Sequence, residues 1–418
     1  MKRVFSSTVE QVTKKFFTSA MASNAVSTLA TIPGSGTTTL ATQPANGYAK
    51  GTKAATGSIQ KALHDETPLI FSNPMSALAG CKVFLKLDCL QPSGSFKIRG
   101  IGRTVQNAVA KGCKKIVSSS GGNAGLAAAY AGQQCGVPVT VVVPETTPVF
   151  MRNLLQSYDA DVKVHGSVWD EAHRLAQSLV DESGAGNAVL VHPFEGEDTC
   201  VGHSTIIDEI ARQGPAVGLN GAPDVIVTCV GGGGLLGGII HGLNKNSWGS
   251  KTTIVPCETE GASSMATSLR KGELVTLPAI TSMAKSLGAL RVSSRTFDMA
   301  QRCRHAGLLK EHTLSDAEAL EACQRFLYDH HLAVELSCGA ALSYVYSGAL
   351  KKQLGAGDHS AKTVVVEVCG GSVLGWLHEQ GVPSIEKFQQ PKPKVYRKFE
   401  ATTEWKEVEP DHICPTGL

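Results

Sequence analysis

Several features that would assign a protein to a common class are missing from this 418-residue chain. No apolar run approaches the roughly 20 residues that a membrane-spanning helix requires, so we expect no membrane association. No cluster of Lys and Arg interleaves with aromatic residues, and the net charge is only +3. We therefore expect no nucleic-acid partner. No two cysteines form a C-x-x-C pair, which argues against a structural zinc site or a thioredoxin-like redox motif.

The twelve cysteines stand singly in apolar segments such as "IVTCVGGG" and "VVEVCGGS". Single buried thiols are typical of a reducing compartment rather than of a disulfide framework. Hydrophobic residues make up 42% of the chain and charged residues 18%, as in an ordinary globular protein. The length allows about two or three packed units.

Both ends of the chain differ in composition from the rest. Residues 1–61 are rich in Ser, Thr and Ala, and they contain several basic residues but only one acid, Glu10. A basic amphipathic helix over residues 2–20 would suit a mitochondrial transit peptide, whereas the composition also fits a disordered tail. A mitochondrial and a cytoplasmic location therefore both stay open. Residues 387–418 form a tail that begins rich in Pro and Lys, and we expect little structure there.

From about residue 62, short β-branched runs alternate with stretches of helical character, such as "NAGLAAAYAGQQ" and "CGAALSYVYSGALKKQ". This alternation predicts an α/β fold, in which parallel sheets are covered by helices. Near-continuous apolar runs such as "DVIVTCV" favour strands that are buried on both faces. The predicted strands are Val83–Lys86, Lys115–Ser118, Pro138–Val143, Val162–Val164, Ala188–Val191, Asp224–Val230, Thr253–Cys257 and Thr363–Cys369.

Glycine-rich loops follow three of these strands. "SSSGGN" follows the strand that starts near residue 115, "GGGG" the strand near 224, and "GGS" the strand near 363. Ligands of parallel sheets bind beyond the carboxyl ends of the strands. Three such loops that converge on one cleft would surround a ligand with several polar groups.

The segment "VGGGGLLGGIIHGL" predicts a strand end, four glycines (Gly231, Gly232, Gly233 and Gly234) and a helix that begins near Leu235. Backbone N–H groups of such glycines, together with the positive end of the helix, form a phosphate cradle. The segment matches neither G-x-G-x-x-G nor G-x-x-x-x-G-K-[ST], so a nucleotide is not indicated. A tight strand-to-helix turn is the alternative interpretation.

Lys97 stands in "SGSFKIRG", between Phe96 and Ile98. It is either a surface residue before a helix or an amine held beside apolar groups. In the second case, loss of solvation lowers the pKa of the amine and allows it to form a Schiff base. A phosphate cradle and an imine-forming lysine are together the minimum required to bind pyridoxal phosphate.

Seven motifs occur in order over about residues 62–380: "PSGSFKIRG", "SSSGGNAGLAAAYAG", "GGGGLLGG", "CETEGASS", "SMAKSLG", "CGAAL" and "VCGGS". Together they resemble the serine/threonine dehydratase family of pyridoxal-phosphate enzymes of fold type II, and most of all its animal-type serine dehydratase branch. The resemblance implies two parallel-sheet domains of tryptophan synthase β-like architecture. Residues 62–92 and 194–386 would form a large cofactor-binding domain, and residues 93–193 a small domain.

The resemblance also implies a role for each matching residue. Lys97 would bind the cofactor covalently and remove the Cα proton of the substrate. Phe96 would pack on the cofactor ring, and Asn123 would form a hydrogen bond with its phenolic oxygen. The phosphate would be bound by Gly231, Gly232, Gly233, Gly234 and Leu235, and the substrate carboxylate by Ser95, Ser120, Gly121, Asn123 and Ala124.

Cys369 falls where the family places the partner of the pyridine nitrogen. A thiol there is not an acid that keeps the nitrogen protonated, so the ring would delocalise a carbanion poorly and fast loss of a β-leaving group would be favoured. A buried core thiol is the alternative interpretation.

The family also binds a monovalent cation, usually potassium, beside the phosphate loop. Oxygen ligands suit such a cation. The matching positions are Gly231, Glu258, Ala262, Ser264, Leu287 and Ala289. Glu258 could instead be an ordinary buried carboxylate. Glu195, in "HPFEGED", lies where relatives have an acid near the edge of the active site, and its role stays open.

The function implied by the resemblance is that of an L-serine and L-threonine dehydratase. This lyase, an ammonia-lyase, performs β-elimination on a small amino acid and gives pyruvate or 2-oxobutanoate with ammonia. Family members of this length are usually homodimers. We expect no regulatory domain of the biosynthetic threonine deaminase type after Ser372, which points to amino-acid catabolism and gluconeogenesis.

Three alternatives are weighed against this function. A serine racemase resembles the chain in the S-F-K segment, but it has a serine where this chain has Gly121, and glycine cannot exchange a proton. Gly121 also departs from the alanine of the main animal serine dehydratases, which leaves turnover and the preference for serine or threonine open. A β-replacement synthase has different residues after the lysine. A non-catalytic pyridoxal-phosphate-binding protein is disfavoured by intact Lys97 and Asn123.

Overall fold

The computed structural model describes residues 61–372 and two short segments, 395–398 and 405–408. The transit-peptide interpretation and most of the carboxyl-terminal tail lie outside the described residues. No helix in the described part of the chain is both long and apolar enough to cross a membrane.

The described residues alternate between strands and helices, as the sequence predicted. The strands are β1 (Leu69–Phe71), β2 (Lys82–Lys86), β3 (Lys115–Ser118), β4 (Val139–Val143), β5 (Asp161–Val164), β6 (Ala188–Leu190), β7 (Val225–Cys229), β8 (Thr253–Thr259), β9 (His312–Leu314), β10 (Thr363–Glu367), β11 (Val395–Lys398) and β12 (Trp405–Val408). The α-helices are α1 (Asn73–Ala79), α2 (Lys97–Ala110), α3 (Asn123–Cys135), α4 (Val149–Ser157), α5 (Trp169–Glu182), α6 (Glu197–Gln213), α7 (Gly234–Lys245), α8 (Ser264–Lys271), α9 (Ser294–His305), α10 (Asp316–His330), α11 (Leu336–Tyr346) and α12 (Ala349–Leu354). Short 3₁₀ helices occupy Asp88–Leu90, Gly214–Val217 and Lys285–Leu287.

A six-stranded sheet has the order β1-β2-β10-β7-β8-β9. Its neighbouring strands are parallel except β1, which runs antiparallel to β2. Strand β7 is buried along its whole length, which agrees with the apolar run "VIVTC". All eight predicted strands occur, whereas β1 and β9, of 3 residues each, were not predicted.

A four-stranded parallel sheet has the order β5-β4-β3-β6. On one face, side chains of α2, α3 and α4 form a hydrophobic cluster with the strands. On the other face, Ala172 and Ala176 of α5 pack against Val117 and Val142. The sheet is therefore covered on both faces, as a parallel sheet requires.

Two predictions need correction. The helical stretch predicted over residues 338–353 is two helices, α11 and α12, because Gly348 between them has a φ of +80° that ends the regular helix. In the tail, where little structure was expected, β11 and β12 pair antiparallel with Val395 opposite Val408. Aromatic and β-branched residues in both segments favour such pairing.

The glycine loops lie at the carboxyl ends of strands, as predicted. Strand β3 leads into residues 119–122 before α3, and β7 leads into residues 230–233 before α7. The loop after β10 is tied to the segment before α2, because Ser95 and Gly370 form an isolated antiparallel bridge. These connections bring distant parts of the chain to one place.

Candidate active site

Lys97 is the first residue of α2, and its Nζ donates a hydrogen bond of 2.6 Å to the carbonyl oxygen of Pro193. Burial lowers the pKa of the Lys97 amine to about 8, while Cys229, Cys369 and Glu335 act in the opposite direction. An amine with such a pKa is partly uncharged near neutral pH and can act as a nucleophile or base. The interpretation of Lys97 as a solvated surface lysine is therefore wrong.

The segment before Lys97 is held by the loop that follows β10. The backbone N–H of Phe96 donates to the Cys369 carbonyl at 2.9 Å, and the N–H of Gly371 donates to the Gly94 carbonyl at 2.7 Å. The hydroxyls of Ser93 and Ser95 are buried and have no hydrogen-bond partner within the described part of the chain. Since buried polar groups are normally satisfied, these hydroxyls are available to a ligand.

The Phe96 ring contacts both the lysine amine and a buried histidine. Lys97 Nζ is 5.1 Å from the centre of the Phe96 ring, and the ring of His203 is 4.9 Å from it on a tilted plane. Burial holds the pKa of His203 well below its usual range. Neither ring nitrogen of His203 has a partner among the described residues. Sequence reasoning did not identify His203, which lies in α6, more than 100 positions after Phe96 in the chain.

The predicted phosphate cradle has no room for side chains. A Cβ atom on Gly232 would lie 2.1 Å from the Phe194 ring, and one on Gly234 would lie 3.0 Å from the Phe194 carbonyl oxygen. Gly233 caps α7 with a φ of +92°. Gly231 leads into this turn, and Leu235 is buried in the first turn of α7. The first N–H groups of a helix lack partners inside it, so they can bind an anion here.

The predicted carboxylate-binding loop connects β3 to α3. A Cβ atom on Gly125 would lie 1.8 Å from the carbonyl oxygen of Ser120, so the loop folds tightly onto its helix. Ala124 is buried in the first turn of α3. A Cβ atom on Gly121 would lie 2.8 Å from Thr147 Cγ2. A larger residue at position 121 therefore requires Thr147 to move.

Asn123 is oriented by two groups from elsewhere in the chain. Its Nδ2 donates to Glu335 Oε1 at 2.9 Å, and its Oδ1 accepts a hydrogen bond from the backbone N–H of Ser372 at 3.1 Å. Ser337 Oγ also donates to Glu335 Oε1, at 2.6 Å. Glu335 is buried, and sequence reasoning missed it, although it lies three residues before the motif "CGAAL".

Cys369 belongs to a cluster of thiols. Its Sγ lies 2.9 Å from Cys338 Sγ and 3.5 Å from Ser337 Oγ. Hydrogen bonds from Cys229 above all, and from Cys338 and Ser337, hold the pKa of Cys369 well below its usual range. The other two cysteines of the cluster were not identified from the sequence, because they are separated from Cys369 by long stretches of chain.

The predicted cation positions fall into two neighbouring groups. Glu258 is buried, and its carboxylate accepts hydrogen bonds from the backbone N–H groups of Met265 (2.9 Å) and Ala266 (2.7 Å). Burial raises the pKa of Glu258 to about 8. The Ser264 hydroxyl beside it has no hydrogen-bond partner in the described residues. Ala262 is also buried in this group.

The second group lies beside the phosphate cradle. A Cβ atom on Gly231 would be 3.2 Å from the Cα of Leu287, and the N–H of Ala289 donates to the Leu287 carbonyl at 2.8 Å. The N–H of Val230 donates to the Cys257 carbonyl, so Gly231 and Glu258 follow paired residues on adjoining strands. Within residues 61–372, no cluster of three or more His, Cys, Asp or Glu side chains suits a metal ion.

Glu195 has a defined contact next to the cradle. Ser293 Oγ donates to Glu195 Oε2 at 3.0 Å, and the backbone N–H of Ser293 donates to the carbonyl of Gly232 at 3.0 Å. Glu195 is therefore connected to the phosphate cradle through Ser293.

Comparisons with known proteins agree with this geometry. A family model described as "Pyridoxal-phosphate dependent enzyme" matches residues 61–370. "Serine dehydratase-like" of Homo sapiens is 44% identical over 315 residues, which cover 75% of this chain and 92% of the relative. "L-serine dehydratase/L-threonine deaminase" of Bos taurus is 42% identical over 314 residues, which cover 75% of this chain and 92% of the relative.

Solved structures show the same architecture. A fungal L-serine ammonia-lyase from Rhizomucor miehei has a TM-score of 0.70 at 34% identity, and the match covers 77% of this chain and 98% of that one. A maize serine racemase has a TM-score of 0.64 at 26% identity, with 76% and 93% covered. Both are similar to this chain over nearly their whole length.

Proposed function

Because this chain belongs to the family of pyridoxal-phosphate-dependent enzymes, we propose that it is a lyase that converts L-serine to pyruvate and ammonia. L-threonine would give 2-oxobutanoate and ammonia. The observation on which the proposal depends is the Lys97 amine, which has a pKa of about 8, donates to the carbonyl of Pro193 after β6, and follows a segment that pairs with the loop after β10. Relatives named serine dehydratase and a similar L-serine ammonia-lyase structure support the substrate.

The residues present fit pyridoxal phosphate. The cradle over Gly232 and Gly234 excludes side chains, and the buried Ser95 hydroxyl lacks a partner within the described residues. We propose that the cofactor is held by Lys97, Phe96, Asn123, Gly231, Gly232, Gly233, Gly234, Leu235 and Cys369. When bound, pyridoxal phosphate supplies the electron-withdrawing group that makes the Cα–H bond of the amino acid acidic.

The chain's own residues then position the substrate and move one proton. The loop over Ser120, Gly121, Asn123 and Ala124 binds the carboxylate at the amino-terminal end of α3, where the helix dipole favours negative charge. Ser95 contributes its free hydroxyl. The uncharged Lys97 amine removes the Cα proton and passes it to the β-hydroxyl, which departs as water. The lowered pKa of Lys97 makes this proton transfer possible near neutral pH.

The test is an assay with L-serine and L-threonine in potassium buffer with added cofactor. We expect pyruvate and ammonia in equal amounts from L-serine, with no D-serine in a chiral analysis of the remaining substrate. The variant Lys97→Ala should lose the visible absorbance of the bound cofactor and reduce turnover by about 10²- to 10⁴-fold or more. The variant Lys114→Ala, at an exposed lysine, is the matched control. D-serine without pyruvate would instead identify a racemase.

We also propose a monovalent cation at Gly231, Glu258, Ala262, Ser264, Leu287 and Ala289. The supporting observations are the buried Glu258 carboxylate and the unpartnered Ser264 hydroxyl among the described residues. Potassium should raise the melting temperature more than lithium at equal ionic strength, since a bound ion stabilises only the folded state. The variant Glu258→Gln should abolish the difference. Equal melting temperatures in both salts would contradict the proposal.

A homodimer, a role in amino-acid catabolism and gluconeogenesis, and a mitochondrial or cytoplasmic location remain predictions. The division into residues 62–92 with 194–386 and residues 93–193 also stays a prediction.

A further inference from the structure

The turn after β6 contains a histidine that the proposed function does not use. Val191 continues β6 through its N–H, which donates to the Val117 carbonyl at 2.8 Å. The half-buried ring of His192 then folds back over the turn. Its Nδ1 accepts hydrogen bonds from the backbone N–H groups of Phe194 (3.3 Å) and Glu195 (2.9 Å). A nitrogen that accepts two N–H groups has no proton of its own, so the ring proton lies on Nε2.

The turn that contains this ring also contacts the reacting amine. The next residue, Pro193, provides the carbonyl that accepts the hydrogen bond from Lys97 Nζ at 2.6 Å. Burial above all, and then the charges of His173 and Lys97, lowers the pKa of His192 to about 4. His192 is therefore a neutral N–H donor near neutral pH, and the adjacent lysine disfavours its positively charged form.

His192 is connected to the loop proposed to bind the carboxylate through a second histidine, His173. His173, which acts electrostatically on His192, places its Nδ1 3.0 Å from the hydroxyl of Ser119. Ser119 directly precedes the loop that begins at Ser120. The Trp169 ring stacks on His173 with 4.6 Å between centroids, which holds that imidazole in place. His192 therefore interacts electrostatically with Lys97 on the one hand, and on the other with His173, whose partner Ser119 precedes the carboxylate loop.

We propose that the Nε2–H of His192 donates a hydrogen bond to the β-oxygen of the amino-acid substrate. This inference rests on the proposed function. An amino acid whose Cα lies near the amine and whose carboxylate lies in the loop presents its β-substituent to the side chains between them. A neutral imidazole that donates there stabilises the negative charge that develops on oxygen as the Cβ–O bond breaks.

The proton balance of the step closes without proton transfer from His192. The Cβ–O electron pair leaves with the oxygen, and Lys97 receives the Cα proton. The protonated Lys97 amine then gives this proton to the departing hydroxide, which leaves as water, and the amine is uncharged again. His192 keeps its own proton throughout and selects substrates with an oxygen at Cβ.

The experiment compares L-serine with β-chloro-L-alanine, whose chloride leaves without a hydrogen-bond donor. The variant His192→Phe keeps a ring of similar size but removes the donor. We expect its kcat/KM for L-serine to fall about 100-fold, by analogy with loss of one donor to a developing oxyanion. The kcat/KM for β-chloro-L-alanine should change by less than about threefold. The visible absorbance of the bound cofactor should be unchanged.

A second variant separates the donor from the turn. His192→Asn retains an oxygen that can accept the backbone N–H groups of the turn, as Asn side chains do in Asx turns, but its amide is too short to replace Nε2. Its melting temperature should match that of the wild type. Its kcat/KM for L-serine should fall as much as that of His192→Phe, again without a matching fall for β-chloro-L-alanine. The control His165→Phe, at an exposed histidine, should leave both substrates unaffected.

Each outcome decides between defined alternatives. Equal losses for both substrates in His192→Asn would assign His192 a structural role only and overturn the inference. Unchanged serine turnover would overturn it as well. If the wild-type protein, with its cofactor absorbance intact, turned over neither substrate, the proposed function itself would fail.

Discussion

Glu367 and Cys369 lie two residues apart at the end of β10, and both are buried. Neither carboxyl oxygen of Glu367 has a hydrogen-bond partner among the described residues. Burial first, and then the charge of Cys369, holds the pKa of Glu367 well above its usual range. Hydrogen bonds from neighbouring thiols and from Ser337 favour the negative charge on the Cys369 sulfur instead. Glu367 is therefore a neutral acid in the folded protein, a state that its residue type alone does not indicate.

This state of Glu367 predicts how stability changes with pH. Because the folded state binds a proton that the unfolded state has lost, the free energy of unfolding falls as pH rises above about 4.5. Glu367→Gln removes the titration and should stabilise the protein at pH 7 by about 1 kcal/mol or more, with little effect at pH 4. Urea unfolding at both pH values measures this, and Glu182→Gln, at an exposed position, serves as control. Equal stabilisation at both pH values would contradict the assignment.

At the scale of elements, helix α2 is anchored by a buried ionic cluster. Arg99 Nε lies 2.6 Å from Asp88 Oδ2, and its Nη1 lies 2.6 Å from Glu209 Oε1. Lys86 Nζ is 2.6 Å from Glu209 Oε2. Two positive and two negative charges thus connect α2 to β2, to the 3₁₀ helix at 88–90 and to α6. Arg99 lies two residues after Lys97, in the first turn of α2. The cluster therefore fixes the position of the helix turn that carries the reactive amine.

Removal of one member of the cluster leaves unpaired charge in the interior. Arg99→Met should reduce the free energy of unfolding by about 3–5 kcal/mol, because Asp88 and Glu209 lose their main partner. The control on the same helix is Arg103→Met, whose exposed pair with Asp198 should contribute less than about 1 kcal/mol. Denaturant unfolding of both variants measures the difference. A similar, small effect in both would show that the cluster is not the anchor of α2.

At the scale of the whole molecule, the site is assembled from residues on two sheets. The loops after β7 and β10 belong to the six-stranded sheet, whereas the loops after β3 and β6 belong to the four-stranded sheet. Lys97 begins a helix that packs on the four-stranded sheet, but its preceding segment pairs with Gly370 of the loop after β10. A ligand that contacts all of these loops links the two sheets.

Cofactor binding should therefore stabilise the described fold as a whole. At a free concentration 100 times the Kd, pyridoxal phosphate should add about 2.7 kcal/mol, because it binds only the folded state. Calorimetry of the apo and reconstituted protein should show one transition that moves to higher temperature. At the same concentration, pyridoxal, which lacks the phosphate for the cradle, should give a smaller shift in the transition temperature. If pyridoxal gave the same shift, the glycine cradle would not be a phosphate site.

Much of the fold could be predicted from the sequence. The strands β2, β3, β4, β7, β8 and β10 were predicted within two residues of their observed ends, because local β-branched runs mark buried parallel strands. The short strands β1 and β9 were missed; β6 also has 3 residues, but its apolar run continues through Val191 and was recognised. The break between α11 and α12 at Gly348 was missed because glycine also occurs inside helices. Only the positive φ of Gly348 shows that the helix ends there.

The sequence by itself determined the α/β class, the family and the identity of Lys97, Asn123 and the four glycines, because these features are encoded in short contiguous motifs. Tertiary structure alone decided which distant side chains join them. Glu335 reaches Asn123 across more than 200 positions, and the carbonyl of Pro193, in the turn after β6, reaches the lysine. It also decided the charge states of Glu367 and Cys369. Burial and neighbouring dipoles set a pKa, and neither can be known before the chain has folded around the group.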